Sequence, residues 1–175
     1  MSDNSAAELE IEVAYMPKEL PSELLSGKPV LIVDVYLSDE TDLLSKLRLR
    51  QKDTVYEFTK KVNLDPDDLS IQQEYNTPLT KAEFEKLRSA GGREVVKDRY
   101  KVPLGEHTME IDVFREKLEG LVIIEVEFKN QEAKEAFVAP DHFGNDITQE
   151  NFIAGAYLAG KSLADIQSDI DRVKA

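Results

Sequence analysis

Along most of this chain apolar side chains recur at every second position, in short runs broken by Gly, Pro, Asn and Asp. Such alternation puts successive side chains on opposite faces of an extended backbone, so it predicts strands and not helices. The runs fall at 8–15, 30–37, 46–51, 54–62, 70–77, 94–101, 107–114 and 120–129. Turn-forming residues separate neighbours at Lys52-Asp53, Gly91-Gly92, 103–106 and 117–120, which predicts antiparallel pairing. Helical signals punctuate the set. Thr80 with Glu83 three residues on forms a capping box for a helix that ends at Gly91. A short helix follows Asn130, another is expected from Thr148 to near Gly160, and Ser162 caps a final amphipathic helix. Loops are expected at 17–29 and 63–69.

The length, 175 residues of which 41% are hydrophobic, suits one domain with a proper core. Residues 1–7 read as a disordered tail, 8–160 as the domain, and 161–175 as the amphipathic helix, whose Leu163, Ile166, Ile170 and Val173 must pack on the domain or on a second copy in a homodimer. With no cysteine there is neither a disulfide framework nor a thiolate site. The opening residues lack a basic start and an apolar core, and no later stretch approaches a membrane span, so the expectation is a cytoplasmic protein without a membrane partner. A net charge of −13 argues against binding a nucleic-acid duplex and requires any anionic ligand to meet an enclosed basic site.

Within the strands the charges come in pairs at i, i+2: Glu10 and Glu12, Arg48 and Arg50, Lys97 and Arg99, Glu110 and Asp112, Glu125 and Glu127. That spacing puts both members on one face, while Leu9, Ile11 and Val13, or Ile124, Val126 and Phe128, take the other. Thr59 with Lys61 and Glu74 with Asn76 continue the pattern. Two architectures satisfy it. An open antiparallel sheet would leave the charged face to solvent. A closed eight-stranded barrel would instead converge the charges on one cavity and pack the apolar faces outward against helices.

Taken together, Glu10-Ile-Glu12, Leu47-Arg-Leu-Arg-Gln51, Lys97-Asp-Arg-Tyr100, Glu110-Ile-Asp-Val-Phe114, Glu125-Val-Glu-Phe128 and Pro140-Asp-His-Phe-Gly144 resemble, in order and spacing, the CYTH or triphosphate tunnel metalloenzyme superfamily. The resemblance covers residues 8 to about 160. It implies a mainly β (α+β) fold, a closed antiparallel eight-stranded β-barrel tunnel with a few helices outside. It also implies Mg²⁺ or Mn²⁺ as cofactor and a small-molecule triphosphate (tripolyphosphate, nucleoside or thiamine triphosphate) as ligand. Glu10, Glu12, Asp112 and Glu127 match acidic metal positions, with Glu12 and Glu127 the first choice of ligands. Arg48, Arg50, Lys61, Lys97 and Arg99 match cations that grip the phosphates, arginine by bidentate forks and lysine as a point charge. Glu125 and Glu74 are the candidates to orient or deprotonate water.

Three departures stand out. The opening signature of the superfamily, E-x-E-x-K, has Ala14 at its lysine. Asn76 replaces a second glutamate, and 152–157 lacks the basic residue some members carry there. The leading expectation is a metal-dependent triphosphatase; a class IV adenylate cyclase and a non-catalytic polyphosphate or nucleotide binder are the alternatives. Two further motifs carry less. Residues 155–162 match the phosphate-loop pattern letter for letter but without the strand that must precede it, and His107 and His142 lack a neighbouring nucleophile pattern.

Overall fold

A computed structural model describes residues 7–37 and 45–174. The tail expected at the start lies outside the described residues except for its last position. Among the described residues nine strands form one antiparallel sheet: β1 (Glu8–Met16), β2 (Val30–Tyr36), β3 (Ser45–Lys52), β4 (Val55–Asp65), β5 (Asp68–Leu79), β6 (Arg93–Leu104), β7 (His107–Phe114), β8 (Val122–Glu127) and the two-residue β9 (Asn145–Asp146). Their order is β5-β4-β3-β2-β6-β7-β8-β1-β9, and a further pairing of β5 with β1 closes the first eight into a ring. Closure removes both edges and settles the choice between sheet and barrel.

The eight expected strands are all present, with ends shifted by a few residues. One expected loop is absent: β4 runs on to Asp65 and β5 begins at Asp68, so 63–69 is mostly a hairpin. Asp65 accepts a hydrogen bond from the Asp67 amide at 2.9 Å, which tightens the turn, and the register shifts between Asn63 and Asp65.

The capping box at Thr80 starts α1 (Lys81–Arg88), whose Phe84 is fully buried against Val35 and Leu49. Asn130 caps α2 (Gln131–Ala136). The helix expected from Thr148 does not form as one piece. The Thr148 hydroxyl is committed to Asp146 and to the Ala14 amide, and the chain makes only a 3₁₀ turn at Asn151–Ile153 and the four-residue α3 (Gly155–Leu158). Ser162 and Asp165 form a capping box that opens a 3₁₀ turn at Leu163–Ile166, continued by α4 (Gln167–Lys174). No helix among the described residues is long and apolar enough to cross a membrane.

The apolar faces point outward along β1, β7 and β8, where Ile11, Val13, Ile111, Ile124 and Val126 pack under Phe143, Phe137 and the 17–29 loop. They do not account for the whole core. At one end of the barrel the inward positions themselves become apolar: Ala14, Tyr36, Val95, Phe114 and Ile123 stand two residues from charged inward positions. There they pack with Phe152, Ala156, Leu158, Ile166 and Ile170. The amphipathic tail therefore closes one end of its own barrel, which is the packing partner its periodicity required.

Candidate active site

Register fixes which side chains enter the lumen. Following the paired positions round the ring from β1 through β8, β7, β6, β2, β3, β4 and β5 returns to β1 with the same parity. Each i, i+2 pair therefore faces inward. The lumen is a cavity of about 230 Å³ with two unlike walls. Strands β7, β8, β1 and β5 are contiguous and contribute Glu110, Glu125, Glu127, Glu10, Glu12 and Glu74. Strands β6, β2, β3 and β4 contribute Lys97, Arg99, Lys101, Lys46, Arg48, Arg50, Lys52 and Lys61, with Asp34 among them.

The two walls are knitted together by ion pairs. Lys61 Nζ lies 2.5 Å from Glu10 and 3.3 Å from Glu12, and these carboxylates outweigh its burial and raise its pKa. Arg48 Nη2 donates to Glu74 at 3.0 Å. Burial acts to raise Glu74, but Arg48 and Lys61 prevail and hold it at about 2. Arg99 donates through Nε and Nη2 to Asp112 at 2.6 Å each, through Nη2 to Glu125 at 2.5 Å, and through Nη1 to Glu110. Glu125 shows the opposite balance to Glu74: burial dominates and raises its pKa despite Arg99. Glu127 is exposed at the cavity mouth, yet desolvation by the surrounding wall and the like charges of Glu110 and Glu12 raise it too.

Of the eleven residues expected in the site, ten line this cavity. The eleventh, Asp112, is 1% exposed behind the lining, where Lys97 and Arg99 occupy both its oxygens and, against the effect of burial, lower its pKa to about 2. An ion placed there would have to displace two cations. Asn76 takes a clear part as well: it donates to Glu74 at 2.8 Å and accepts from Thr59 at 2.8 Å, where a glutamate would set a second carboxylate against the first. Several lining residues lie outside the expected set, Lys46, Lys52, Lys101 and Asp34 among them. Lys101 extends the Lys97, Arg99 series by two and pairs with Glu110 at 2.6 Å. Asp34 is the only charge in an apolar strand and shares the parity of the inward positions, a signal that sequence reading could have used.

Ala14 points into the cavity directly opposite Glu125. A lysine at this position would add a cation between the acidic wall and the apolar end. Ala14→Lys is expected to fold and to bind tripolyphosphate more tightly in calorimetry, with a gain that shrinks as salt is raised. Unchanged affinity in a folded variant would place a side chain at position 14 out of the ligand's reach.

The phosphate-loop match serves packing. Gly155 opens α3 with no strand leading into it, and an added Cβ would lie 2.1 Å from the Tyr36 hydroxyl. His107 packs on Phe128 and Phe137, and His142 on Phe143, outside the cavity.

Fold and lining define a class: closed antiparallel β-barrels whose lumen sets an acidic wall against a basic one. No protein-family model matches the sequence. An inorganic triphosphatase of Nitrosomonas europaea is 38% identical over 153 residues, spanning 86% of this chain and 96% of that protein. A crystal structure of an inorganic triphosphatase superposes with a TM-score of 0.61 at 33% identity, covering 87% of this chain and 95% of that one. A proposed adenylate cyclase from Bacillus halodurans shares the fold, with a TM-score of 0.60 at 20% identity over 93% of this chain and 97% of that one. The chain belongs to the CYTH, or triphosphate tunnel metalloenzyme, superfamily.

Proposed function

We propose that this chain is a divalent-metal-dependent triphosphatase that hydrolyses the terminal phosphoanhydride of inorganic triphosphate. The observation that carries the reading is the divided lumen. A linear polyanion lying along the basic wall needs a cation between itself and the opposing carboxylates, and phosphoryl transfer demands little beyond such positioning and charge stabilisation. Arg48, Arg50 and Arg99 are the forks for phosphoryl oxygens, with Lys61 and Lys97 as point charges. Support comes from Arg48, whose buried Nε has no hydrogen-bond partner among the described residues and is satisfied by an incoming phosphoryl oxygen.

The donor chemistry fits a hard divalent cation. Glu12 and Glu127 are directly opposed across an antiparallel pair, where two like charges repel unless an ion joins them. Among the described residues no group of three carboxylates or histidines is assembled as a ready-made site. Mg²⁺ or Mn²⁺ would be held by two carboxylates, Glu12 and Glu127, together with phosphate oxygens of the substrate, with Glu10 on the same wall. When bound, the ion supplies charge neutralisation at those oxygens. Asp112 instead holds Lys97 and Arg99 in place. Between the two candidate bases the opposite pKa shifts favour Glu125, whose raised value suits it to accept a proton from water, over Glu74, which two cations hold ionised.

Release of phosphate from tripolyphosphate, ATP and thiamine triphosphate, measured with Mg²⁺ and with Mn²⁺, tests the proposal. Phosphate is expected from tripolyphosphate, with no turnover in excess chelator. Undiminished turnover with chelator present would remove the metal from the mechanism. Cyclic nucleotide with pyrophosphate from ATP would make the chain a cyclase, and tight binding without product a non-catalytic binder.

A further inference from the structure

Asp34 is 2% exposed, lies on the basic wall and has no role in the reading above. Its Oδ1 accepts from Arg50 Nε and its Oδ2 from Arg50 Nη2, both at 2.6 Å. This side-on grip uses one edge of the guanidinium and leaves Nη1 outside it. Asp112 grips Arg99 by the same two nitrogens, also at 2.6 Å. Two arginines on strands separated by β2 are thus held in the same manner by short, buried carboxylates. Charge balance does not explain Asp34, because a buried anion on the wall that must receive phosphate opposes binding. What a short side chain directly across the strand pair does supply is a fixed direction for a long, otherwise mobile one.

We propose that Asp34 is a positioning residue: it locks Arg50 by its Nε and Nη2 edge so that Nη1 meets the phosphate chain in one orientation, improving alignment while lowering anion affinity. The proposal rests on the triphosphatase reading. It predicts that affinity and turnover move apart, which a merely structural role would not produce.

The test is a double-mutant cycle followed by kinetics and by calorimetry with tripolyphosphate. Asp34→Asn removes a negative charge, so tripolyphosphate should bind as tightly as in wild type or more so, while kcat falls about 10- to 100-fold as Arg50 loses its alignment. Asp34→Glu keeps the charge but not the distance, and should leave kcat down by about tenfold or more. In an Arg50→Gln background, Asp34→Asn should change kcat less than about twofold. Wild-type kcat in Asp34→Glu, or kcat losses that simply multiply in the double variant, would overturn the proposal. If Asp34→Asn does not fold, Asp34→Glu and the double variant carry the test, since neither leaves a buried charge unpaired. If wild-type protein releases no phosphate, the triphosphatase reading fails and the clamp is judged on binding alone. An effect of Asp34→Asn on tripolyphosphate Kd that differs at least threefold between the Arg50 and Arg50→Gln backgrounds supports it, and equal effects overturn it.

Discussion

Arg50→Ala is expected to raise KM and lower kcat together, reducing kcat/KM by roughly 10²–10³-fold, and to destabilise the fold by about 3–5 kcal/mol at neutral pH. The kinetic part follows from an arginine that holds phosphate in both ground and transition states. The stability part follows from what is left behind. Asp34 is almost fully buried, and burial alone would raise its pKa; Arg50 and Arg48 overcome that and hold it below the usual carboxylate range. Without Arg50 a buried carboxylate loses its chief partner. A group with a depressed folded-state pKa contributes stability above its unfolded value and loses that contribution as pH falls through the folded one. In the variant Asp34 protonates at higher pH and so escapes the penalty sooner. The stability gap between wild type and Arg50→Ala should therefore narrow as pH drops below about 4. Denaturant unfolding at pH 7 and in mild acid measures it. Wild-type stability and kinetics in this variant would mean that the buried Arg50–Asp34 pair contributes neither to substrate binding nor to stability.

Glu127→Gln is expected to act on chemistry more than on substrate capture. Turnover should fall roughly 10²–10³-fold, while tripolyphosphate binding without metal stays the same or tightens. A second readout comes from stability. The pKa of Glu127 is raised by desolvation and by Glu110 and Glu12, so its ionised form burdens the native state. Any stability from a raised carboxylate is present below its unfolded pKa and is lost as pH rises through the folded value. At neutral pH without metal, Glu127→Gln should match or exceed the wild-type Tm, and the rise in Tm on adding Mn²⁺ should shrink. A variant that keeps the full metal-induced shift would exclude Glu127 as a ligand.

Which face of each strand the charges share is legible in the sequence. An i, i+2 spacing in a strand has one geometric meaning, so Glu10, Glu12 and Ala14 had to share a face, as did Lys97 and Arg99. The capping boxes at Thr80 and Ser162 were equally local and are both present. Where local signals misled, a distant contact intervened. Thr148 has the chemistry of a helix cap, but its hydroxyl meets the amide of Ala14, 134 positions away, and no continuous helix follows. Asp112 shares an i, i+2 spacing with Glu110, and its pairing with two cations from β6 is not written in that spacing.

The sequence by itself therefore determined the strands, the hairpins β3–β4, β6–β7 and β7–β8 and the face each charge would take, because backbone periodicity and turn chemistry act over a few residues. The pairings of β2 with β6 and of β1 with β8 and β5, and the separation of β5 from β6 across Gly91-Gly92, came only with the tertiary structure. Only the tertiary structure decided which acid meets which base, that Asp34 clamps Arg50, and that the C-terminal segment fills one end of the lumen. Closing the barrel decides those partners, since the stagger between strands sets which inward positions come level with one another, and no short stretch of sequence encodes it.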